Sequence, residues 1–269
     1  MRRRTCYWLE YPDFDKVNLL DMDKERFENL KEELTSLSAE QGLTLIGKVF
    51  HNGAKFSTSF GMEDQVITHL IATLSLDIEI FTLDTGRLFQ ETYDTFALTK
   101  QKYKVPIITY FPNQLNIEQL LQQKGPNSFY ESVENRKECC FIRKVEPLQR
   151  ALQGTRVWIT GLRSDQSASR NKMEVVAWDE QYQLIKYNPL INWTQEQVNS
   201  FIDRNNIPIN TLHKKGFPSI GCTPCTRAVM PGEDARAGRW WWESSSKECG
   251  LHEKHQDTSG RLEAVSKSI

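Results

Sequence analysis

The spacing of apolar positions changes character along the chain. Over residues 1–52 the sequence is polar, with Leu30, Leu34 and Leu37 returning at helical intervals before a break at Gly53. A short extended run, Lys55–Ser59, follows and ends at Gly61. Beyond it Val66, Ile67, Leu70, Ile71 and Leu74 form a stripe of helical period, with Glu63 and Asp64 in the first turn, where a helix favours negative charge. The pattern then predicts a strand over Ile78–Leu83, a helix from Glu91 to Lys104, and strands over Pro106–Tyr110 and Arg156–Thr160. Strands alternating with helices predict an α/β fold with a mostly parallel sheet flanked by helices. From Gly216 the chain is rich in Gly, Pro, Cys and Trp, and the run Glu243–Glu248 after Trp242 has the polar, serine-rich composition of a mobile linker. The chain thus divides into a helical lead-in (1–52), an α/β domain (53–242) and a mobile C-terminal tail (243–269).

In open α/β sheets, ligands bind where strands end and loops enter helices. Three polar, glycine-bearing loops stand at such places: Ser57-Thr58-Ser59-Phe60-Gly61, Leu83-Asp84-Thr85-Gly86-Arg87, and Thr160-Gly161-Leu162-Arg163-Ser164, the last trailed by Arg170. Hydroxyls, a close backbone approach at Gly61 and a helix N-terminus suit an anion. The first loop is neither a Walker A loop nor a G-x-G-x-x-G, and by itself it also fits a serine-capped strand-to-helix turn. Arg87, Lys144, Arg163, Arg170, Arg236 and Arg239 are candidate partners for phosphate or sulfate oxygens, since a guanidinium can hold two at once.

Charge narrows the field of partners. Among 269 residues, 34 Lys and Arg face 35 Asp and Glu, a net charge of −1, which gives no basic field for nucleic acid. No apolar run approaches the ~18 residues of a membrane helix. The basic start Met1-Arg2-Arg3-Arg4 leads into Leu9-Glu10-Tyr11-Pro12-Asp13 and not into the apolar segment of a secretion signal, so a cytoplasmic protein is expected.

The six cysteines are too few for a disulfide scaffold of this length, and their grouping points to metal ligation or catalysis. Cys139 and Cys140 are adjacent, and Cys222 and Cys225 form a C-x-x-C. Four such thiolates fit structural zinc or an iron–sulfur cluster. Adjacent cysteines point in divergent directions and favour a larger, multi-atom object, but spacing alone leaves zinc and unliganded thiols open. Cys249 stands apart on the tail, with Lys247 and His252 close enough in sequence to lower its pKa; it is an incidental thiol or a nucleophile on a mobile arm.

Taken together, these segments resemble the assimilatory adenylyl-sulfate reductases, within the group that includes the phosphoadenylyl-sulfate reductases. The resemblance rests on Leu83–Leu88 with Glu91-Thr92-Tyr93, Glu138-Cys139-Cys140 with Arg143–Leu148, Gly161–Gln166, Ser219–Arg227, Gly238–Trp242 and Lys247–His252, in that order. It spans Lys55 to His252. It implies an adenine nucleotide α-hydrolase-like fold and the two-electron reduction of adenosine 5′-phosphosulfate to sulfite and AMP, with thioredoxin (or a glutaredoxin-like protein) as donor. It also implies one [4Fe–4S] cluster per chain on Cys139, Cys140, Cys222 and Cys225, and Cys249 as the nucleophile that becomes an S-sulfocysteine. The substrate would be held by Ser57, Thr58, Gly61, Leu83, Asp84, Thr85 and Gly86 and by the basic side chains Lys144, Arg163, Arg170, Arg236 and Arg239. A homo-oligomer is compatible with the resemblance.

Two positions depart from many relatives: Phe60 where serine precedes the loop glycine, and Phe89-Gln90 where a histidine and proline follow Leu88. Vicinal cysteines accompany preference for the unphosphorylated adenylyl sulfate, while a reductase of the 3′-phosphorylated form, or of both, is the alternative. An ATP-dependent relative on the same fold would carry S-G-G-x-D-S, which Ser59–Asp64 lacks. A zinc-containing binding module stacking ligands on Trp240, Trp241 and Trp242 is a more distant alternative.

Overall fold

The structure is a computed structural model that describes residues 24–167, 170 and 172–243. Two helices, α1 (Lys24–Ser36) and α2 (Ala39–Val49), open it, separated by Ser38, whose side chain accepts from the Gln41 N–H in a reciprocal capping box. Both pack against the sheet. Leu30, Leu34, Leu43 and Ile46 share one core with its strands, so the described part of the lead-in is continuous with the α/β domain.

The strands are β1 (Ala54–Thr58), β2 (Glu79–Leu83), β3 (Ile108–Tyr110), β4 (Val157–Ile159), β5 (Val176–Asp179) and β6 (Leu184–Tyr187). They lie in the order β3-β2-β1-β4-β6-β5, parallel except for the β5–β6 hairpin at one edge. The expected strands and the mostly parallel sheet are all present. Helix α3 (Met62–Thr73) crosses from β1 to β2, and α4 (Gln90–Tyr103) from β2 to β3. The predicted stripe on α3 is buried at Val66, Ile67, Leu70 and Ile71, while Leu74 at the C-cap is exposed.

Alternation along the strands builds two cores. Ile80, Val157, Ile159, Ile185 and Tyr187 face the side of α1–α3 and α8 (Gln195–Arg204), while Phe81, Trp158 and Leu184 face α7 (Glu146–Ala151) on the other side. The chain runs outward from β1 through β2 to β3, then returns to β4 on the opposite flank of β1. This reversal between β1 and β4 opens a crevice at their carboxyl ends. No helix among the described residues is long and apolar enough to cross a membrane.

Candidate active site

A cleft of about 370 Å³ lies at that reversal. Of the residues anticipated from sequence, Ser57, Thr58, Gly61, Leu83, Lys144, Arg163, Arg170, Arg236 and Arg239 line it. The β1 loop is rigidly built. The Trp158 indole N–H donates to Ser57 Oγ at 2.9 Å, and the Phe60 N–H donates to Thr58 Oγ1 at 3.1 Å. Phe60 adopts a left-handed φ of 60° and buries its ring against Phe96, with centroids 4.8 Å apart. Thus Phe60 is an internal anchor of the loop.

Asp84, Thr85 and Gly86 are not among the lining residues; of the three, Thr85 faces a cysteine. Asp84 Oδ1 accepts from the Gly86 N–H at 2.8 Å and from the Tyr93 hydroxyl at 3.0 Å, holding Gly86 at a left-handed φ of 70°. Thr85 is fully buried, with Oγ1 3.2 Å from Cys222 Sγ, and its carbonyl accepts from Arg143 Nη1 at 2.7 Å. The Leu83–Gly86 stretch is a wall between cleft and cysteines, with Leu83 on the cleft side.

The arginines divide by their partners. Arg163 donates to Glu63 at 2.7 Å and also bonds Asp165, Gln195 and the Trp193 carbonyl. Its guanidinium is taken up as a strut between the β4 loop and the start of α3. Arg239 is equally buried, yet among the described residues its only side-chain hydrogen bonds are long ones of 3.4 Å to Ser219 Oγ and the Ile220 carbonyl. Its Nε has no acceptor among the described residues, and the guanidinium lies 4.8 Å from the Trp240 ring centre. A buried cation without a carboxylate is costly unless an anion completes it.

Cys139 and Cys140 end helix α6 (Val133–Cys140), which continues into a wide π turn over Phe141–Val145. That extra residue per turn sends Lys144 to the cleft and Arg143 to Thr85. Cys222 and Cys225 close a tight knuckle through the Cys225 N–H to the Cys222 carbonyl, 3.0 Å. Cys225, Cys139 and Cys222 pack together with Phe129, Trp240 and Trp242. Cys140 lies beside Arg136, whose guanidinium makes two bonds to Glu243 at 2.8 and 3.0 Å and sits 4.7 Å from the Trp240 ring centre. Burial, reinforced by the neighbouring Cys222, pushes the Cys225 thiol up to about 12; burial also raises Cys139, opposed by Arg143.

No three His, Cys, Asp or Glu side chains among the described residues are arranged to hold a single metal ion. The donor set nevertheless fits a multi-atom iron–sulfur group: four free thiols on two adjacent segments, three of them in one apolar cluster, with cations at its margin. Cys249 lies outside the described residues. The tail's root does not: Glu243 is fixed to Arg136, and Trp240 and Trp242 are part of the cysteine cluster.

Sequence reading missed Trp158 and His213, which also line the cleft. Trp158 sits in a continuous apolar strand where nothing distinguishes it from core, and His213 stands in an irregular turn without periodicity.

Residues 54–228 match the family model described as the phosphoadenosine phosphosulfate reductase domain. A curated relative from Agrobacterium fabrum, an adenosine 5′-phosphosulfate reductase, is 48% identical over 231 residues, covering 83% of this chain and 89% of its own. One of the same name from Neisseria meningitidis is 45% identical over 230 residues, covering 85% of this chain and 90% of its own. Among solved structures, the phosphoadenylyl-sulfate reductase of Candida auris in its phosphate complex superposes with a TM-score of 0.66 at 28% identity, covering 77% of this chain and 98% of that one.

Proposed function

The chain belongs to the phosphoadenosine phosphosulfate reductase family, and from that premise we propose that it reduces adenosine 5′-phosphosulfate to sulfite and AMP in sulfate assimilation, in the cytoplasm. The observation that carries this reading is the cleft at the β1/β4 reversal, where a nucleotide-type loop faces Lys144 and the buried Arg170, Arg236 and Arg239. Relatives named for this substrate across most of the chain support it.

The substrate carries negative charge on both sides of the bond that must break, which repels an incoming thiolate. Lys144, Arg170, Arg236 and Arg239 offset that charge and stabilise the leaving phosphate; Arg163 holds the loop that frames them. Ser57, Thr58, Gly61 and Leu83 enclose the nucleotide, with Asp84, Thr85 and Gly86 bracing the wall behind. Cys249 is the nucleophile: its thiolate attacks the sulfate sulfur, the sulfur–oxygen bond to phosphate breaks, and AMP departs with the bonding pair. The enzyme then holds the SO₃ group as an S-sulfocysteine. A thiolate of reduced thioredoxin, or of a glutaredoxin-like donor, attacks the Cys249 sulfur and sulfite leaves with the electron pair. The donor's second thiol displaces Cys249 and closes a disulfide, so the dithiol supplies both electrons.

Cys139, Cys140, Cys222 and Cys225 would hold one [4Fe–4S] cluster, which when bound supplies electrostatic and structural support beside the cleft. Arg143, bonded to the Thr85 carbonyl, couples this cysteine site to the wall of the cleft.

The test is anaerobic sulfite release with reduced thioredoxin on adenylyl sulfate and on its 3′-phosphorylated analogue. Strong preference for the first is the expected result. Comparable rates make the protein a dual reductase, and sulfite from neither overturns the reading.

A further inference from the structure

His213 lines the cleft from a short turn, Thr211–Lys215, whose conformation is fixed from both ends. The Asn210 side chain accepts from the Leu212 N–H at 3.0 Å and donates to Thr92 Oγ1 on α4 at 3.1 Å, and Gly216 closes the turn at a left-handed φ of 84°. The ring orientation follows from one bond: Nδ1 stands 2.9 Å from the Phe217 carbonyl oxygen. A carbonyl can only accept, so Nδ1 carries the proton. Burial lowers the pKa of His213, outweighing the Phe217 carbonyl and the Glu63 carboxylate, which both favour the charged ring. In the neutral ring Nε2 is then a bare lone pair. It is buried and has no hydrogen-bond partner among the described residues. An unpartnered buried acceptor costs free energy unless a donor meets it.

We propose that His213 is a nucleoside-recognition residue, whose Nε2 accepts a hydrogen bond from an N–H or O–H group on the adenosine half of the ligand. The inference rests on the nucleotide reading above and deepens it. Phosphate and sulfate oxygens offer a lone pair nothing at neutral pH. The donors of an adenosine nucleotide are the exocyclic amine and the two ribose hydroxyls, and one of these meets Nε2.

Two substitutions separate recognition from a merely structural role. His213→Asn keeps a donor where Nδ1 bonds Phe217 and deletes the acceptor; His213→Gln keeps an acceptor near Nε2 and deletes the Phe217 bond. AMP binding to the full-length protein, followed by calorimetry, is expected to weaken about tenfold in H213N and substantially less in H213Q. The analogues 2′-deoxy-AMP, 3′-deoxy-AMP and purine riboside 5′-monophosphate, which lacks the amine, identify the donor. For one of them H213N and the unaltered protein should bind alike. H213N with unaltered AMP affinity, or an undiminished H213N deficit with all three analogues, overturns the inference. Failure of the unaltered protein to bind AMP overturns the nucleotide reading instead.

Discussion

The Asp64 carboxylate accepts twice from Ser59, from its N–H at 2.6 Å and its hydroxyl at 2.7 Å, with the Gly61 N–H as a further donor. One buried carboxylate therefore sets the shape of the β1 loop. Burial nevertheless pushes Asp64 up to about 6 from 3.8. The sign of the linkage is unusual for a carboxylate: the folded protein binds this proton more readily than the unfolded chain, so the term favours folding as pH falls from about 6 to 4. Relative to Asp64→Asn, the unaltered protein should gain on the order of 2 kcal/mol in urea unfolding over that range. AMP affinity should move the other way, falling several-fold below pH 6 because a protonated carboxyl has less acceptor capacity. The phosphate of AMP titrates nearby, and the affinity ratio between the two proteins removes its contribution. A ratio independent of pH would refute the loop-shaping role.

Arg163 and Arg239 are both buried arginines of the cleft, yet their substitutions should fail differently. Arg163→Ala leaves the largely covered Glu63 without its partner, which should cost about 2–4 kcal/mol in urea unfolding. Arg239→Ala removes a cation with no carboxylate partner among the described residues and a contact to Trp240 worth about 1 kcal/mol. Its stability should change little, while the catalytic efficiency on adenylyl sulfate drops by more than tenfold. Equal destabilisation by both would remove the distinction between strut and ligand.

The α/β pattern was legible because β4 is a continuous hydrophobic run, β2 centres on Ile80-Phe81 and α3 carries an apolar stripe. The segment 111–155 was not, since α5 (Gln114–Lys124) buries only Leu120 and α6 only Arg136, so neither carries an apolar stripe. The π turn has no sequence signal, although it decides that Lys144 and Arg143 face different sites. Basic residues could be nominated from sequence, but their partners could not: nothing in the chain tells that Arg163 is spent on Glu63 and Arg239 is not. The short β5–β6 hairpin escaped because β5 has four residues of which Val176 alone is fully buried, although Trp178 packs on the same core.

Iron content should separate the cysteines by role. Cys225→Ser and Cys140→Ser, purified anaerobically, should lose iron, because Cys225 sits in the apolar cluster with Cys139 and Cys222 and Cys140 lies beside Arg136. Cys249→Ser should keep its iron and bind AMP while releasing no sulfite. Full iron in either of the first two removes that residue from the ligand set, and turnover by the third removes it as nucleophile.

Phe60 poses a conflict between backbone and side chain that two substitutions can resolve. Its φ of 60° is a conformation that costs a residue with a Cβ about 1 kcal/mol, and glycine avoids that cost. Its ring is 2% exposed and stacked on Phe96, and deleting such a ring costs about 3–5 kcal/mol. Packing is the larger effect, so Phe60→Gly should destabilise by about 2–4 kcal/mol despite relieving the backbone. Phe60→Ala loses the same ring and keeps the strained φ, so it should be the less stable of the two by about 1 kcal/mol, reversing the usual preference for alanine. Both should weaken AMP binding, since Gly61 and Thr58 are held in the cleft by the anchor between them. Urea unfolding of the pair reads the order directly. Alanine above glycine would mean that the loop relaxes out of its left-handed turn once the ring is gone, and that the Phe60–Phe96 stack alone imposes the turn.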